Sequence, residues 1–161
     1  MTTAFSLDFH LSSEAQTTRL GQQIAPLLGP GDTLLLRGPI GAGKTHLARS
    51  IIQERLSVRG RQEEVPSPTY TLVQTYDDGA CEIWHADLYR LTDPNEVVEL
   101  GLEAAFESAI VLVEWPDRLG GLAPSDALEV LLEPIGDGRQ IRLTSQSDKW
   151  GRLKPAIESA Q

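Results

Sequence analysis

The sequence has little that would support a disulfide-stabilised or membrane-spanning protein. Its 161 residues include a single cysteine, Cys81, which excludes an intramolecular disulfide and a cysteine-based zinc site. No hydrophobic run is long enough to cross a membrane. The first residues lack the basic segment and apolar run of a secretory signal. We therefore expect a cytoplasmic protein with no membrane partner.

Basic residues are also scarce. The formal net charge is -9, and no two of the 14 basic residues are adjacent. An acidic chain repels phosphate backbones at long range, which disfavours tight, unaided binding of nucleic acid. The length and the 40% hydrophobic content fit one globular domain, which we expect to span residues 1–161.

The hydrophobic pattern predicts alternating strands and helices. Apolar and polar residues alternate over residues 5–11, and short apolar runs at 33–38 and 109–115 are typical of buried strands. Helices are predicted after Ser13, after residue 43 and from Asp93, with the last continuing to residue 106. The segment from Ser147 is weakly helical, and Pro155 is expected to interrupt it.

Two predicted hairpins make the sheet mixed. Strands at residues 69–76 and 81–89 flank an Asp-Gly turn, and strands at 127–134 and 138–145 form a second pair. Residues 58–68 are polar with two prolines and are predicted to be a mobile loop. The fold class is therefore α/β, with a mixed, mainly parallel sheet.

One glycine-rich stretch carries a phosphate-binding signature. The segment GPIGAGKT, residues 38–45, fills the pattern G-x-x-x-x-G-K-[ST] and lies between a predicted strand and a predicted helix. Glycines let successive backbone N–H groups approach phosphate oxygens at the positive end of the helix. Lys44 would reach the β- and γ-phosphates, and Thr45 would offer its hydroxyl to Mg²⁺. This pattern predicts a three-layer sandwich of the P-loop NTPase type.

A phosphoryl-transfer site also needs a carboxylate near the metal, at the carboxyl end of a neighbouring strand. Asp87 and Glu114 each end a predicted strand, and Glu114 closes the most apolar one. Both are candidates for this role, beside the alternative that they only solubilise a strand end. His46 and His85 are interpreted as structural or exposed, and not as catalytic.

Five motifs occur in an order and at spacings that resemble a known family. They are GPIGAGKT at residues 38–45, SPTYTLVQTY at 67–76, HADLYRL at 85–91, ELGLEAAF at 99–106 and VEWPDRL at 113–119. Together they are similar to the bacterial tRNA threonylcarbamoyladenosine biosynthesis ATPases, the small P-loop subunits of that pathway. The resemblance covers most of the chain, from about residue 11 to 144.

The resemblance implies an ATP- and ADP-binding protein that needs Mg²⁺ and hydrolyses ATP weakly alone. Such proteins act on a two-subunit tRNA threonylcarbamoyl transferase complex that modifies adenosine 37, and they meet tRNA through that complex. The implied catalytic residues are Lys44, Asp87 and Glu114, and the implied metal ligands are Thr45 and Glu114. The implied nucleotide contacts are Glu14, Ile40, Gly41, Ala42, Gly43, Lys44, Thr45, Asp87 and Arg139, and the switch or partner-sensitive residues are Thr69, Tyr70 and Trp115.

Other functions remain open from the residues alone. A small-molecule kinase would need an acceptor site and usually an arginine-rich lid, and no such cluster is evident. A regulatory GTPase would carry N-K-x-D, which is missing because lysine occurs only at positions 44, 149 and 154. A scaffold that senses nucleotide without hydrolysing it would keep the phosphate loop but tolerate loss of the Glu114 carboxylate.

Overall fold

The computed structural model describes residues 3–159 and is built on a seven-stranded sheet. The strands are β1 (Phe5–Leu11), β2 (Thr33–Arg37), β3 (Val73–Asp77), β4 (Glu82–Asp87), β5 (Ile110–Glu114), β6 (Leu128–Ile135) and β7 (Gly138–Ser145). The helices are α1 (Glu14–Ile24), α2 (Lys44–Val58), α3 (Pro94–Glu99), α4 (Leu102–Ser108) and α5 (Leu153–Glu158). Short 3-10 helices cover Ala25–Leu27, Pro116–Leu122 and Asp148–Arg152.

The sheet is mixed and parallel at its centre. Its strand order is β1-β7-β6-β2-β5-β4-β3. Strands β6, β2, β5 and β4 run parallel, whereas the pairs β1–β7, β7–β6 and β3–β4 are antiparallel. Both predicted hairpins are present. The predicted α/β fold with a mixed sheet is therefore confirmed, with its antiparallel pairs at the two sides.

Side chains of the central strands alternate between two helical layers. Leu34 and Leu36 of β2 pack in one apolar cluster with α1, α2 and α5, whereas Leu35 packs in another with α3 and α4. All five residues of β5 are buried, as expected for a strand that is covered on both faces. The carboxyl ends of β2, β4 and β5 therefore lie at one edge of a three-layer sandwich.

The structure differs from the predicted elements in several places. The helix predicted from Asp93 to residue 106 is broken into α3 and α4, because Gly101 has φ of +82°, a left-handed conformation that does not continue a helix. Residues 69–72 form a turn and not the start of β3, with the Leu72 N–H donating to the Pro68 carbonyl. Pro155 does not interrupt α5, because it lies in the first turn, where its missing N–H has no helical partner to lose.

Helix α1 also ends earlier than the apolar spacing predicts, at Ile24, and the chain continues as a 3-10 turn. The Ser13 N-cap is as expected, since its hydroxyl accepts a hydrogen bond from the Gln16 N–H. Asp93 caps α3 in the same way, accepting from the Asn95 N–H. In the part of the chain that the structure describes, every helix is too short or too polar to cross a membrane.

Candidate functional site

The glycine-rich loop connects β2 to α2 at the centre of the sheet edge. Gly38 follows β2 with φ of +149°, and a Cβ on it would collide with the carbonyl oxygen of Leu132 on β6. Only glycine fits this close approach. Gly41 and Gly43 also have positive φ, and α2 begins directly after them at Lys44. The loop therefore surrounds the N-terminus of a 15-residue helix, which favours an anion.

Lys44 is buried beneath this loop, with 5% of its surface exposed. Its Nζ donates to the carbonyl oxygens of Gly38 at 2.5 Å and Pro39 at 3.2 Å, and it lies 4.0 Å from the centroid of the Trp115 ring. Burial lowers the pKa of the Lys44 amine, and the nearby carboxylates of Glu114 and Asp87 counteract part of that effect. The ammonium group thus has carbonyl dipoles and a π-face as its partners.

Glu114 ends β5 and connects two neighbouring side chains. The Thr45 hydroxyl donates to its Oε1 at 2.7 Å, and Nε2 of His85 lies 2.7 Å from its Oε2. His85 is fully buried, and because a carboxylate oxygen only accepts, Nε2 carries the hydrogen. The His85 Nδ1 is a buried atom without a hydrogen-bond partner in residues 3–159. His85 therefore positions the Glu114 carboxylate toward Thr45.

Asp87 ends β4, directly beside Glu114 in the parallel register. One of its oxygens accepts from the Tyr89 N–H at 3.0 Å, and the other lies 3.5 Å from the Thr69 hydroxyl. Burial raises the pKa of the Asp87 carboxyl, the Tyr89 N–H opposes this, and the charge of Glu114 adds to it. Two adjacent buried carboxylates in this position would be stabilised by a cation between them.

These groups line one cleft of about 530 Å³. The sheet order puts Asp87 and Glu114 on one side of the loop and the β1–β7–β6 strands on the other. Arg139, the second residue of β7, donates to the Ala42 carbonyl at 2.7 Å and the Gly41 carbonyl at 3.2 Å. Glu14, the first residue of α1, lies exposed on that same side. The cleft therefore spans the loop from a carboxylate side to a side formed by α1 and β7.

Twelve of the residues singled out in the sequence line this cleft, namely Glu14, Ile40, Gly41, Ala42, Gly43, Lys44, Thr45, Thr69, Asp87, Glu114, Trp115 and Arg139. Tyr70 lies outside the cleft, and the centroid of its ring is 5.5 Å from the Arg90 guanidinium carbon. Trp115 adopts a left-handed backbone conformation with φ of 58°, and its ring lies 4.9 Å from that of Tyr89.

The structure adds cleft residues that the sequence analysis did not assign to the site: Ser13, Thr17, His46, Tyr89, Asp137 and Gly138. Thr17 lies three residues after Glu14, so helical spacing alone places it on the same face. Asp137 lies in the turn before β7, and Gly138 is the first residue of that strand. Local sequence spacing does not predict the contact of His85 with Glu114, because this contact depends on the pairing of β4 with β5.

Comparison with known proteins identifies the family. The family model described as threonylcarbamoyl adenosine biosynthesis protein TsaE matches residues 11–141. The tRNA threonylcarbamoyladenosine biosynthesis protein TsaE of Rickettsia felis is 37% identical over 131 residues, which cover 81% of this chain and 75% of that protein. The protein of the same name from Haemophilus influenzae is 36% identical over 149 residues, covering 89% and 92% of the two chains.

A solved structure has the same fold. The crystal structure of Bacillus subtilis YdiB superposes with a TM-score of 0.79 and covers 99% of this chain and 97% of its own, at 24% sequence identity. That identity supports a shared fold only, whereas the family model and the relatives cover most of the chain at higher similarity. The chain belongs to the TsaE family of tRNA threonylcarbamoyladenosine biosynthesis proteins.

Proposed function

We propose that this chain is a Mg²⁺-dependent P-loop ATPase that binds ATP and ADP and serves as an accessory protein in the tRNA modification pathway of its family. One observation carries the proposal. A single cleft joins the glycine-rich loop and Lys44 to the hydrogen-bonded pair Thr45–Glu114 and to Asp87. These are the groups that phosphoryl transfer requires, in the order in which a nucleotide and a metal would meet them.

The donor set fits Mg²⁺. Thr45 and Glu114 offer a hydroxyl and a carboxylate oxygen 2.7 Å apart, and Mg²⁺ prefers oxygen ligands. Within residues 3–159 no cluster of three His, Cys, Asp or Glu side chains forms a metal site by itself. Mg²⁺ commonly takes only one or two carboxylates from the protein and completes its shell with phosphates and water. When bound, the ion would neutralise charge on the β- and γ-phosphate oxygens.

The orientation of the nucleotide follows from the sheet order. Phosphates would occupy the loop at the N-terminus of α2, with the terminal phosphate toward Asp87 and Glu114. The nucleoside would then extend to the opposite side of the loop, where Glu14, Thr17 and Arg139 line the cleft. A cleft of about 530 Å³ lies in the ordinary range for small-molecule sites.

In the proposed reaction, water attacks the γ-phosphorus while the bond to the bridging oxygen breaks, which yields ADP, inorganic phosphate and a proton. Lys44 would exchange the carbonyls of Gly38 and Pro39 for phosphate oxygens, so its charge would stabilise the transferring group. The buried Asp87 carboxylate would orient the attacking water. His85 would hold Glu114, and Glu114 would hold Thr45.

The partner is part of the proposal. Family membership supports an action on the two-subunit tRNA threonylcarbamoyl transferase complex, in the cytoplasm. The net charge of -9 supports an indirect route to tRNA, because the chain itself would repel a polyanion. Hydrolysis would then be slow in isolation and faster in the assembly.

The experiment that tests this function measures ATP hydrolysis by the wild type and by K44A, each alone and with both transferase subunits and tRNA. K154A is the matched control, because Lys154 is exposed on α5, away from the cleft. We expect slow turnover alone, faster turnover with the partners, and loss of both in K44A only. Turnover that the partners leave unchanged would contradict the accessory role.

A second variant separates hydrolysis from nucleotide sensing. E114A removes the carboxylate that contacts Thr45. If E114A retains nucleotide binding and still supports tRNA modification, the chain is a sensing scaffold and the proposed ATPase function is wrong. If modification falls together with hydrolysis, the ATPase function is supported.

A further inference from the structure

Helices α1 and α2 lie side by side and run in the same direction. They come close together at Gly21 and Ser50, where a Cβ on Gly21 would come within 2.6 Å of the Ser50 Cβ. One turn nearer to both N-termini, Thr18 faces His46. Because both pairs advance together along the two helices, the N-terminus of α1 lies beside the N-terminus of α2, at the cleft.

One hydrogen bond joins the two helices near the cleft. The Thr18 Oγ1 and the His46 Nε2 are 2.7 Å apart, and both residues are half-buried. His46 follows Thr45 directly and lines the cleft, whereas Thr18 follows the cleft residue Thr17 and lies outside the cleft itself. The bond therefore connects the loop helix to the helix that carries Glu14 and Thr17.

We propose that Thr18 and His46 are positioning residues that fix the nucleoside side of the cleft relative to the phosphate loop. This inference rests on the proposed function, since it assumes a nucleotide that spans both sides. The hydrogen bonds of Lys44 go to the Gly38 and Pro39 carbonyls, and the loop is held against β6 and β7 by Leu132 and Arg139. Glu14 and Thr17, by contrast, reach the cleft only through the placement of α1.

The bond also differs in kind from the rest of the packing between these helices. Helix α1 packs on α2 through several buried apolar residues of one core cluster. Apolar contacts are non-directional, whereas the hydrogen bond requires one alignment of Thr18 with His46. It also restricts rotation of α1 about its own axis, which would otherwise turn Thr17 and Glu14 away from the cleft.

The test compares two ligands that occupy different parts of the cleft. Binding of ATP and of inorganic tripolyphosphate, each with Mg²⁺, is measured by calorimetry for the wild type, T18V and T18S. T18V keeps the side-chain shape and loses the hydroxyl, whereas T18S keeps the hydroxyl. We expect T18V to weaken ATP binding by about three- to tenfold and leave tripolyphosphate binding unchanged, with T18S close to the wild type. The KM for ATP should rise in T18V while kcat is retained.

A double-mutant cycle assigns the effect to the bond. H46A should weaken ATP binding, and adding T18V to H46A should cost nothing more, because the bond is already absent. Equal losses for both ligands in T18V, no loss for either, or additive losses in the cycle would each overturn the proposal. A wild type that binds neither ligand would contradict the proposed function instead, so the two failures are distinguishable. T75V, at an exposed position of β3, controls for loss of a threonine hydroxyl elsewhere.

Discussion

The two ends of α2 both hold buried charges, but they satisfy them differently. Arg55 lies 11 residues after Lys44, which is about 16 Å along the helix. At the Arg55 end, the charges are neutralised by groups of the protein itself. At the Lys44 end, they are neutralised only in part. The comparison contrasts a structural contact with the proposed nucleotide cleft.

The Arg55 end of α2, the end far from the cleft, contains an ion pair that is also hydrogen-bonded to the backbone. Arg55 lies 2.7 Å from the Asp78 carboxylate, and its other nitrogen donates to the carbonyls of Ala25 and Leu28. Asp78 also accepts two backbone N–H groups, from Ala80 and Cys81. Burial by itself would raise the pKa of Asp78, but these hydrogen bonds and Arg55 outweigh it, and the pKa is lowered.

At the cleft end of α2, the pKa shifts have the opposite effect. Burial lowers the pKa of Lys44 and raises that of Asp87, which means that both charged forms are disfavoured in the free protein. A polyphosphate beside Lys44 and a cation beside Asp87 would offset the free-energy cost of burying these charges. Groups that share a cleft and whose pKa values are shifted against the charged form are typical of functional sites, whereas the Arg55–Asp78 pair is a structural contact.

The largest effect is expected from R55M. This change keeps much of the side-chain volume but leaves the Asp78 charge buried without its partner. We expect the free energy of unfolding in urea to fall by about 3–5 kcal/mol, with the affinity of the remaining folded protein for MgATP unchanged. R59M is the matched control, since Arg59 is exposed after the last turn of α2. If R55M is as stable as the wild type, the Arg55–Asp78 ion pair does not stabilise this end of α2.

A smaller effect, at the other end, is expected from K44M. The variant loses charge-assisted contacts to phosphate, so MgATP should bind about ten- to a hundredfold more weakly. The free energy of unfolding of the free protein at pH 7 should be unchanged or higher, because a buried amine with a lowered pKa is removed. Calorimetric binding and urea unfolding measure the two quantities. If K44M binds MgATP as the wild type does, or is destabilised as much as R55M, the two ends of α2 do not differ in the proposed way.

The local pattern of the chain was enough to predict most of the fold. Alternation in β1, the apolar runs of β2 and β5, and the turn chemistry of both hairpins each depend on neighbouring residues. The break at Gly101 was missed because apolar residues continue with helical spacing on both sides of it, although glycine after a helix is a known stop signal. The turn at residues 69–72 was missed because its β-branched and aromatic residues favour a strand.

The site was predictable only as far as its motif extends. The glycine-rich loop and its Lys44 and Thr45 follow from spacing, and Asp87 and Glu114 follow from their places at strand ends. The bonds from Glu114 to His85 and from Thr18 to His46 join residues 29 and 28 positions apart, respectively. Such contacts depend on strand register and helix packing, which no local pattern contains.

The smallest effect on stability is expected from D87N. Whether this variant gains or loses stability distinguishes the two ends of α2. Because the pKa of Asp87 is raised on folding, ionised Asp87 costs stability at every pH above its folded pKa. D87N should therefore be more stable than the wild type at pH 7. That advantage should shrink as the pH falls through the folded pKa toward the ordinary aspartate value of 3.8.

D78N provides the opposite case for that measurement. The pKa of Asp78 is lowered, so its carboxylate contributes stability that is present above 3.8 and is lost as the pH falls through the folded pKa. D78N should be less stable than the wild type at pH 7, and the difference should disappear in acid. Urea unfolding of both variants from pH 7 to pH 3 compares them directly. If D87N is also less stable than the wild type at pH 7, then the Asp87 carboxylate stabilises the free protein as the Asp78 carboxylate does. The proposed contrast between the two ends of α2 would then be wrong.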